Sequence, residues 1–300
     1  MQIGARLRAF AAFVRRGSFS GAAESLRISQ PAVSKHIADI ERELSVKLIE
    51  RGTRKLTAAG EFLAGHVLRA EAILAQAAQG VMALRDPGVG ALSVMASGTP
   101  GTYLLPDVIA AFAQAHPGIQ VSFSLGTSSE VVAAVRAHRA EIGVVGGFVA
   151  APEIEAEPLI EGEIVIVGPK SFEGRRLSRD DLESLIWISR EEGSATRVIA
   201  DGAMMDLGIV PKGRLALPSW EAIKLAVRRG HGIAACSRLS VVEELETGSL
   251  IVIPFVPWKV RRTFSIVRIR DAALSPAAQQ FLLMLHQRWG HVYSHQVARQ

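Results

Sequence analysis

Apolar residues recur at helical spacing through the first third of the chain and give way to short alternating or continuous runs after it, so the pattern changes near residue 90. Leu7, Phe10 and Val14 predict a first helix. Ala22, Ala23 and Leu26 predict a second, short helix behind a cap at Ser18 or Ser20, after which Arg27 and Ile28 turn the chain. Ser29 caps a third helix, with Pro31 in the first turn, where a missing N–H costs nothing. Its Val33, Ile37, Ile40 and Leu44 form a stripe expected to be buried, leaving Gln30, Ser34 and Lys35 on the opposite face. From Thr57 to Arg85 no proline intervenes, and Leu63, Val67, Ala70, Leu74, Ala77, Val81 and Leu84 follow at alternating spacings of four and three. Such a seam suits pairing with another copy of the chain, although a long alanine-rich helix packed on its own chain fits the same spacing. Asp86-Pro87-Gly88 then ends the helix.

Beyond Gly90 strands alternate with helices. Strands are predicted at residues 91–96, 120–125, 141–145 and 163–167, with helices at 104–115 and 129–137 between them, an order that implies a parallel α/β sheet. The alternation repeats through strands at 185–188, 214–217 and 232–235 and helices at 196–206 and 220–229, which implies a second lobe and a cleft between the two. Residues 261–269 read as a strand, and Ser275 with Pro276 opens a last helix through Trp289 that returns to the first lobe. The fold class expected is α+β multidomain. It divides into an N-terminal winged helix-turn-helix (1–58), a linker and dimerisation helix (59–88) and a two-lobed α/β domain (89–300). In the latter, lobe I is about 89–161 with 268–300, and lobe II about 162–267.

Charge sharpens this division. Residues 1–60 hold 11 Lys or Arg against 5 Asp or Glu, while the other 240 hold 23 against 24, so the basic excess lies beside the short helices. Phosphate neutralisation supplies most sequence-independent DNA affinity, and a basic head on a nearly neutral body fits it. The chain has 300 residues and is 49% hydrophobic, ample for a sizeable core. Arg6 and Arg8 are followed by no apolar export segment, and the nearly uncharged stretch around Asp107 is too often broken by Gly, Pro, Ser and Thr to span a membrane. A cytoplasmic protein without a membrane association is expected. The lone Cys236 excludes an internal disulfide and a cysteine-only metal cluster.

In a helix-turn-helix, the start of the second helix enters the major groove, so the amide, hydroxyl and ammonium of Gln30, Ser34 and Lys35 are placed to meet base edges and phosphates. Ser29 and Pro31 share that edge. Arg51, Arg54 and Lys55, around the turn-forming Gly52, suit a wing lying along the DNA backbone. In the α/β domain, three hydroxyl-bearing segments follow strands or open helices, where free N–H groups receive anions: Ser97-Gly98-Thr99-Pro100, Thr127-Ser128, and Gly193-Ser194-Ala195-Thr196-Arg197. Together they suit one small carboxylate, phosphate or sulfate, with Gly146-Gly147-Phe148 as a wall; ordinary helix capping explains each segment taken singly. An enzyme is not expected, since no G-x-S-x-G elbow, H-E-x-x-H, Walker loop or cysteine pair is present. His291 and His295 have helical metal-ligand spacing but fall near the C-terminus, and neither a metal nor another cofactor is expected. A transport-type solute-binding protein is disfavoured by the basic head.

The chain resembles the LysR-type transcriptional regulators over nearly its full length. The resemblance is carried by Gly17-Ser18-Phe19-Ser20, Ala22-Ala23, Ser29-Gln30-Pro31-Ala32-Val33-Ser34, Ile40-Glu41, Leu44, Leu48, Arg51 and Leu56-Thr57-Ala58-Ala59-Gly60. It implies that Gln30, Pro31, Ser34 and Lys35 touch promoter DNA and that Arg54 reaches from the wing. It also implies a small-molecule effector between lobes resembling periplasmic binding proteins, with Ser194 and Thr196 beside it. Further implications are a dimer or a tetramer of paired dimers, action as activator, repressor or both, and contact with RNA polymerase where it activates. Two positions depart from the family's pattern: Ser45 stands where glycine is usual and Ile49 where phenylalanine is, both expected to alter packing only.

Overall fold

The computed structural model describes residues 4–50, 52–85, 88–147 and 149–297, the side chains at 76, 79, 82–85 and 290–297 excepted. The chain divides into two compact units, residues 1–87 with 137–139 and residues 88–136 with 140–300.

The N-terminal unit is helical. It comprises α1 (Ala5–Arg16), α2 (Phe19–Leu26), α3 (Gln30–Glu43) and the long α4 (Ala58–Arg85). Ser18, not Ser20, caps α2 by accepting the Gly21 N–H at 3.1 Å. Ser29 caps α3 by accepting from Ala32. Arg27 ends α2 in the left-handed region, which makes the turn tight. Phe10, Phe13, Ala22, Val33, Ile37, Ile40, Leu48 and Ile49 fill the core. Leu44 departs from the expected stripe: it ends α3 as its C-cap and is 51% exposed, because the helix stops before the residue can turn inward. Ser45 has a φ of 54°, a backbone region in which glycine is unstrained and a Cβ costs about 1 kcal/mol, so this departure acts on the backbone as well as on packing.

The C-terminal unit holds β1 (Gly90–Ser97), α5 (Gly98–Tyr103), α6 (Leu105–Ala115), β2 (Ile119–Gly126), α7 (Ser128–Arg136), β3 (Ile142–Gly146) and β4 (Ile154–Pro169). It continues with α8 (Arg179–Ser184), β5 (Ile186–Arg190), α9 (Ala195–Asp206), β6 (Gly213–Leu217), α10 (Trp220–Arg228), β7 (Ala234–Ser237), α11 (Val242–Glu246), β8 (Leu250–Val252), β9 (Val260–Ile269) and α12 (Pro276–Val297). The main sheet runs β2-β1-β3-β9-β4-β7, with β8 also on β4; β5 pairs with β6 and makes one further parallel bridge, from Trp187 to Ile233 just before β7. Only β1, β2 and β3, and the β5–β6 pair, are parallel; β9 is antiparallel to both β3 and β4, so the sheet is mixed rather than parallel throughout.

Two long strands join the lobes. β4 covers 16 residues, more than twice the run expected from its apolar half, and pairs with β9 from Ile154–Ile269 to Ile164–Val260, with a register shift between Pro158 and Ile160. Leu159 and Ile160 lie in the lobe I core with Phe264, Ile266 and α12's Phe281, whereas Ile164 and Ile166 lie in lobe II with Trp187 and Met204. The chain therefore re-enters lobe I within β9, where Phe264 already pairs with Gly146 of β3, ahead of the expected residue 268. Phe281 meets Phe112 edge-on at 5.4 Å, which fixes α12 on α6.

Candidate functional site

In the N-terminal unit, α1 and α2 brace α3, and Ser29, Gln30, Pro31, Ser34 and Lys35 all lie on its exposed side. No core contact competes for them; the Ser20 hydroxyl stands 3.4 Å from the Gln30 amide oxygen, which orients that side chain along the α2–α3 turn. After α3 the chain forms a minimal hairpin: Ile49 and Leu56 make an antiparallel bridge, and the Glu50 N–H donates to the Lys55 carbonyl at 2.9 Å. Gly52 (φ 103°) and Arg54 (φ 58°) make the reversal, and Thr53 closes it by donating to Glu50 at 2.7 Å. Arg54 and Lys55 are exposed on this wing, while Arg51 lies outside the described residues. Glu41 fastens wing to helix: its carboxylate accepts the N–H groups of Leu48 (3.0 Å) and Ile49 (3.4 Å) and pairs with Lys47 at 2.6 Å. Burial alone would raise its pKa, but these donors outweigh that and hold it below the usual value.

The linker seam divides along its length. Val67, 4% exposed, belongs to the head's own core, and Leu63 packs against that core. Ala70 and Leu74 are half-buried, Ala77 is exposed and Val81 is 62% exposed, while the Leu84 side chain lies outside the described ones. The N-terminal part of the seam thus has a partner within its own chain, and only the later positions are left to another.

In the C-terminal unit a cleft of about 400 Å³ opens between the lobes at the carboxyl ends of β1, β2 and β5. Ser97, Gly98, Thr99, Thr127, Ser128, Ser194 and Thr196 line it as expected. Pro100 is buried within α5 and Gly147 faces Ala195, so neither is among the lining residues, and Phe148 lies outside the described residues. The hydroxyls have distinct tasks. Ser97 accepts the Gly146 N–H at 3.1 Å and Ser128 donates to the Gly146 carbonyl at 3.4 Å, so both fix the end of β3. Thr127 and Ser128 do not offer an open anion seat, because Glu130 occupies the start of α7: its carboxylate accepts the Thr127 N–H at 2.7 Å and hydroxyl at 3.0 Å. The Thr127 N–H, and then its hydroxyl, lower the Glu130 pKa. Thr99 and Thr196 meet across the cleft, with their oxygens 3.5 Å apart, where Ser194 caps α9 without a side-chain bond of its own.

The group missing from the sequence reading is Arg262. It lies on β9 opposite Gly162, is 5% exposed, donates Nη1 to Thr196 at 2.5 Å and stacks over Phe264 at 4.4 Å. Its Nη2 occupies the space a Cβ on Gly146 would need, at 1.8 Å. No carboxylate pairs with it among the described residues and its buried Nε has no hydrogen-bond partner. Burial brings its pKa down to about 10, which still leaves it charged at neutral pH. A signal existed: in β9, Arg262 shares the alternation of Phe264 and Ile266 and so belongs to the inward face. Arg190 also lines the cleft, but Glu191 holds it through two bonds of 2.6 and 2.7 Å. Among the described residues no three His, Cys, Asp or Glu converge as a metal site, and no helix is long and apolar enough to cross a membrane.

A winged helix-turn-helix followed by two α/β lobes around a polar cleft defines a regulator that couples DNA binding to a small ligand. The comparisons place it more closely. Residues 5–61 match the family described as "Bacterial regulatory helix-turn-helix protein, lysR family", and residues 85–290 match the "LysR substrate binding domain". The chain belongs to the LysR family of transcriptional regulators, which are DNA-binding regulators and not enzymes. It is similar to the uncharacterized HTH-type transcriptional regulator YeiE of Escherichia coli K12, at 35% identity over 92% of this chain and 94% of that one. It is also similar to the HTH-type transcriptional regulator CysL of Bacillus subtilis, at 31% identity over 87% and 89%. Full-length CbnR, crystallised with its target DNA, shares the fold with a TM-score of 0.67 and 23% identity over 94% of this chain and 98% of that one.

Proposed function

We propose that this regulator reads promoter DNA through Gln30, Ser34 and Lys35, steadied by Arg54 and Lys55. Its effector carries an anionic group that Arg262 receives together with Thr196, Thr99 and the start of α9. The observation that carries the second part is the buried, charged Arg262, beside which no carboxylate lies among the described residues. Leaving such a charge unpaired is costly, and an incoming anion relieves the cost. The first N–H groups of α9, which have no partners within the helix, add to the attraction. Because the effector site lies between lobes, its occupancy changes DNA affinity to the extent that it favours one lobe arrangement over the other. The exposed later part of the linker seam, Ala77 and Val81, supports a homo-oligomer that presents two readers to two half-sites in the cytoplasm. RNA polymerase is the partner where it activates.

Thermal-shift titration of the full chain with small carboxylates, phosphate and sulfate tests the cleft. At least one anion is expected to raise Tm in a concentration-dependent way, and Arg262→Gln to weaken it tenfold or more. A panel that leaves Tm unchanged overturns the reading. For the DNA reader, duplexes selected from random sequence provide the operator. Gln30→Ala and Ser34→Ala are each expected to reduce discrimination against random DNA tenfold or more, a base contact being worth about 1 to 3 kcal/mol. Arg54→Ala should instead weaken all duplexes alike and flatten the salt dependence. Unchanged discrimination in both α3 variants removes these residues from the reader.

A further inference from the structure

Most charged side chains around the cleft have a partner of opposite sign. Arg190 is satisfied by Glu191, and Lys224 bridges Glu221 (2.7 Å) and Glu244 (2.9 Å). Two lining groups then remain without an opposite charge among the described residues: Arg262 and Glu130. Glu130 is hydrogen-bonded to Thr127 alone, and its lowered pKa keeps it a carboxylate at neutral pH. The two mark opposite sides of the cleft floor. The Glu130 carboxylate stands beside Gly126 at the end of β2, within 3.0 Å of where a Cβ there would lie, and the Arg262 guanidinium covers Gly146 at the end of β3. β1 separates these strands, so the two ends are about two strand spacings apart, roughly 9.5 Å.

From this arrangement we infer that the effector is a zwitterion of the amino-acid class, its carboxylate on Arg262 and its ammonium on Glu130. This rests on the reading of Arg262 as the anion receptor. A hydrogen bond of about 2.9 Å at each end leaves a few ångströms between the ligand's own charges, the separation an amino acid offers. A second negative group meets no uncompensated cation among the described residues: the Arg190 charge is already matched by Glu191, which leaves only its Nη1, beside Gly98, as a donor, and the excess carboxylate around Lys224 repels it. An uncharged tail forgoes the attraction of the Glu130 carboxylate. The specificity is therefore built from repulsion as much as from attraction.

The test is isothermal titration of the full chain with the common amino acids, each beside its des-amino monocarboxylate and a dicarboxylate of equal length, with inorganic phosphate and sulfate included. At least one amino acid is expected to bind tenfold or more tightly than its des-amino and dicarboxylate counterparts. Glu130→Gln should abolish that preference while leaving the monocarboxylate's affinity unchanged or improved, whereas Arg262→Gln should weaken all of them. Glu130→Asp, which keeps the charge, should retain part of the preference, and amide exchange in α7 would show whether loss of the cap has unfolded the helix start. A monocarboxylate, dicarboxylate, phosphate or sulfate that binds as well as every amino acid overturns the zwitterion and leaves the anion site standing. A preference for amino acids that follows Glu221→Gln rather than Glu130→Gln overturns the assignment to Glu130. Binding by no member of the panel overturns both readings.

Discussion

Glu41→Ala is expected to cost the DNA-binding head about 2 to 4 kcal/mol and to loosen the wing before it loosens α3. Its carboxylate takes two backbone N–H groups, those of Leu48 and Ile49, which enter the core as their side chains become buried. Removing a charged acceptor leaves those donors unsatisfied, and each such bond contributes about 1.5 to 3 kcal/mol when the acceptor is ionised. Amide exchange at Leu48 and Ile49 reads the effect directly, and protection equal to the native protein's would refute it. The same carboxylate sets a pH response. Its folded pKa lies below the ordinary 4.5, so its stabilisation is fully present above about pH 5 and is lost as pH falls through that lowered value. Head stability followed from pH 7 to 3 should therefore drop more in the native chain than in Glu41→Gln.

Gly146→Ala is expected to separate ligand binding from folding. A Cβ there would overlap the Arg262 guanidinium at 1.8 Å, but the obstructed group is the far end of a flexible side chain, so the fold yields by moving Arg262 rather than by parting strands. Stability should fall by about 2 to 4 kcal/mol, the cost of one disturbed charge-assisted bond to Thr196 and one ring contact. Affinity for the anionic effector should fall tenfold or more, and DNA affinity without effector should stay unchanged. Retention of full effector affinity with a displaced Arg262 would show that the guanidinium does not hold the ligand.

Much of the head was legible because its signals are local. Caps at Ser18 and Ser29, Pro31 in the first turn and the spacing of Val33, Ile37 and Ile40 each act within a few residues. The wing was legible in outline from Gly52, although the anchoring by Glu41 joins residues seven and eight apart. In the second unit the longer helices and the parallel strands read clearly, but the short α5, α8 and α11 and the first half of β4 did not. Its Glu155, Glu157 and Glu161 break the apolar run, and they are accommodated only by groups far along the chain: Arg268 pairs with Glu155 at 2.8 Å, and His286 lies 3.2 Å from Glu157. Of the cleft, the Thr99 and Thr196 positions followed from helix starts. The occupation of α7 by Glu130 was concealed in a spacing common to ordinary capping boxes, and Arg262 was overlooked because a cationic residue in a strand reads first as solvent-facing.

The passage of β4 and β9 between the lobes places Arg262 on the ribbon that joins them. Arg262 is paired with Gly162 at the waist of this two-ply ribbon, a few residues from the register shift at Pro158. A ligand held at the guanidinium, as proposed above, would thus bear directly on the strands that connect the lobes. A small bend or twist of such a ribbon would swing the far ends of the two lobes through a larger arc, so a ligand held at the proposed site would bias the angle between the lobes.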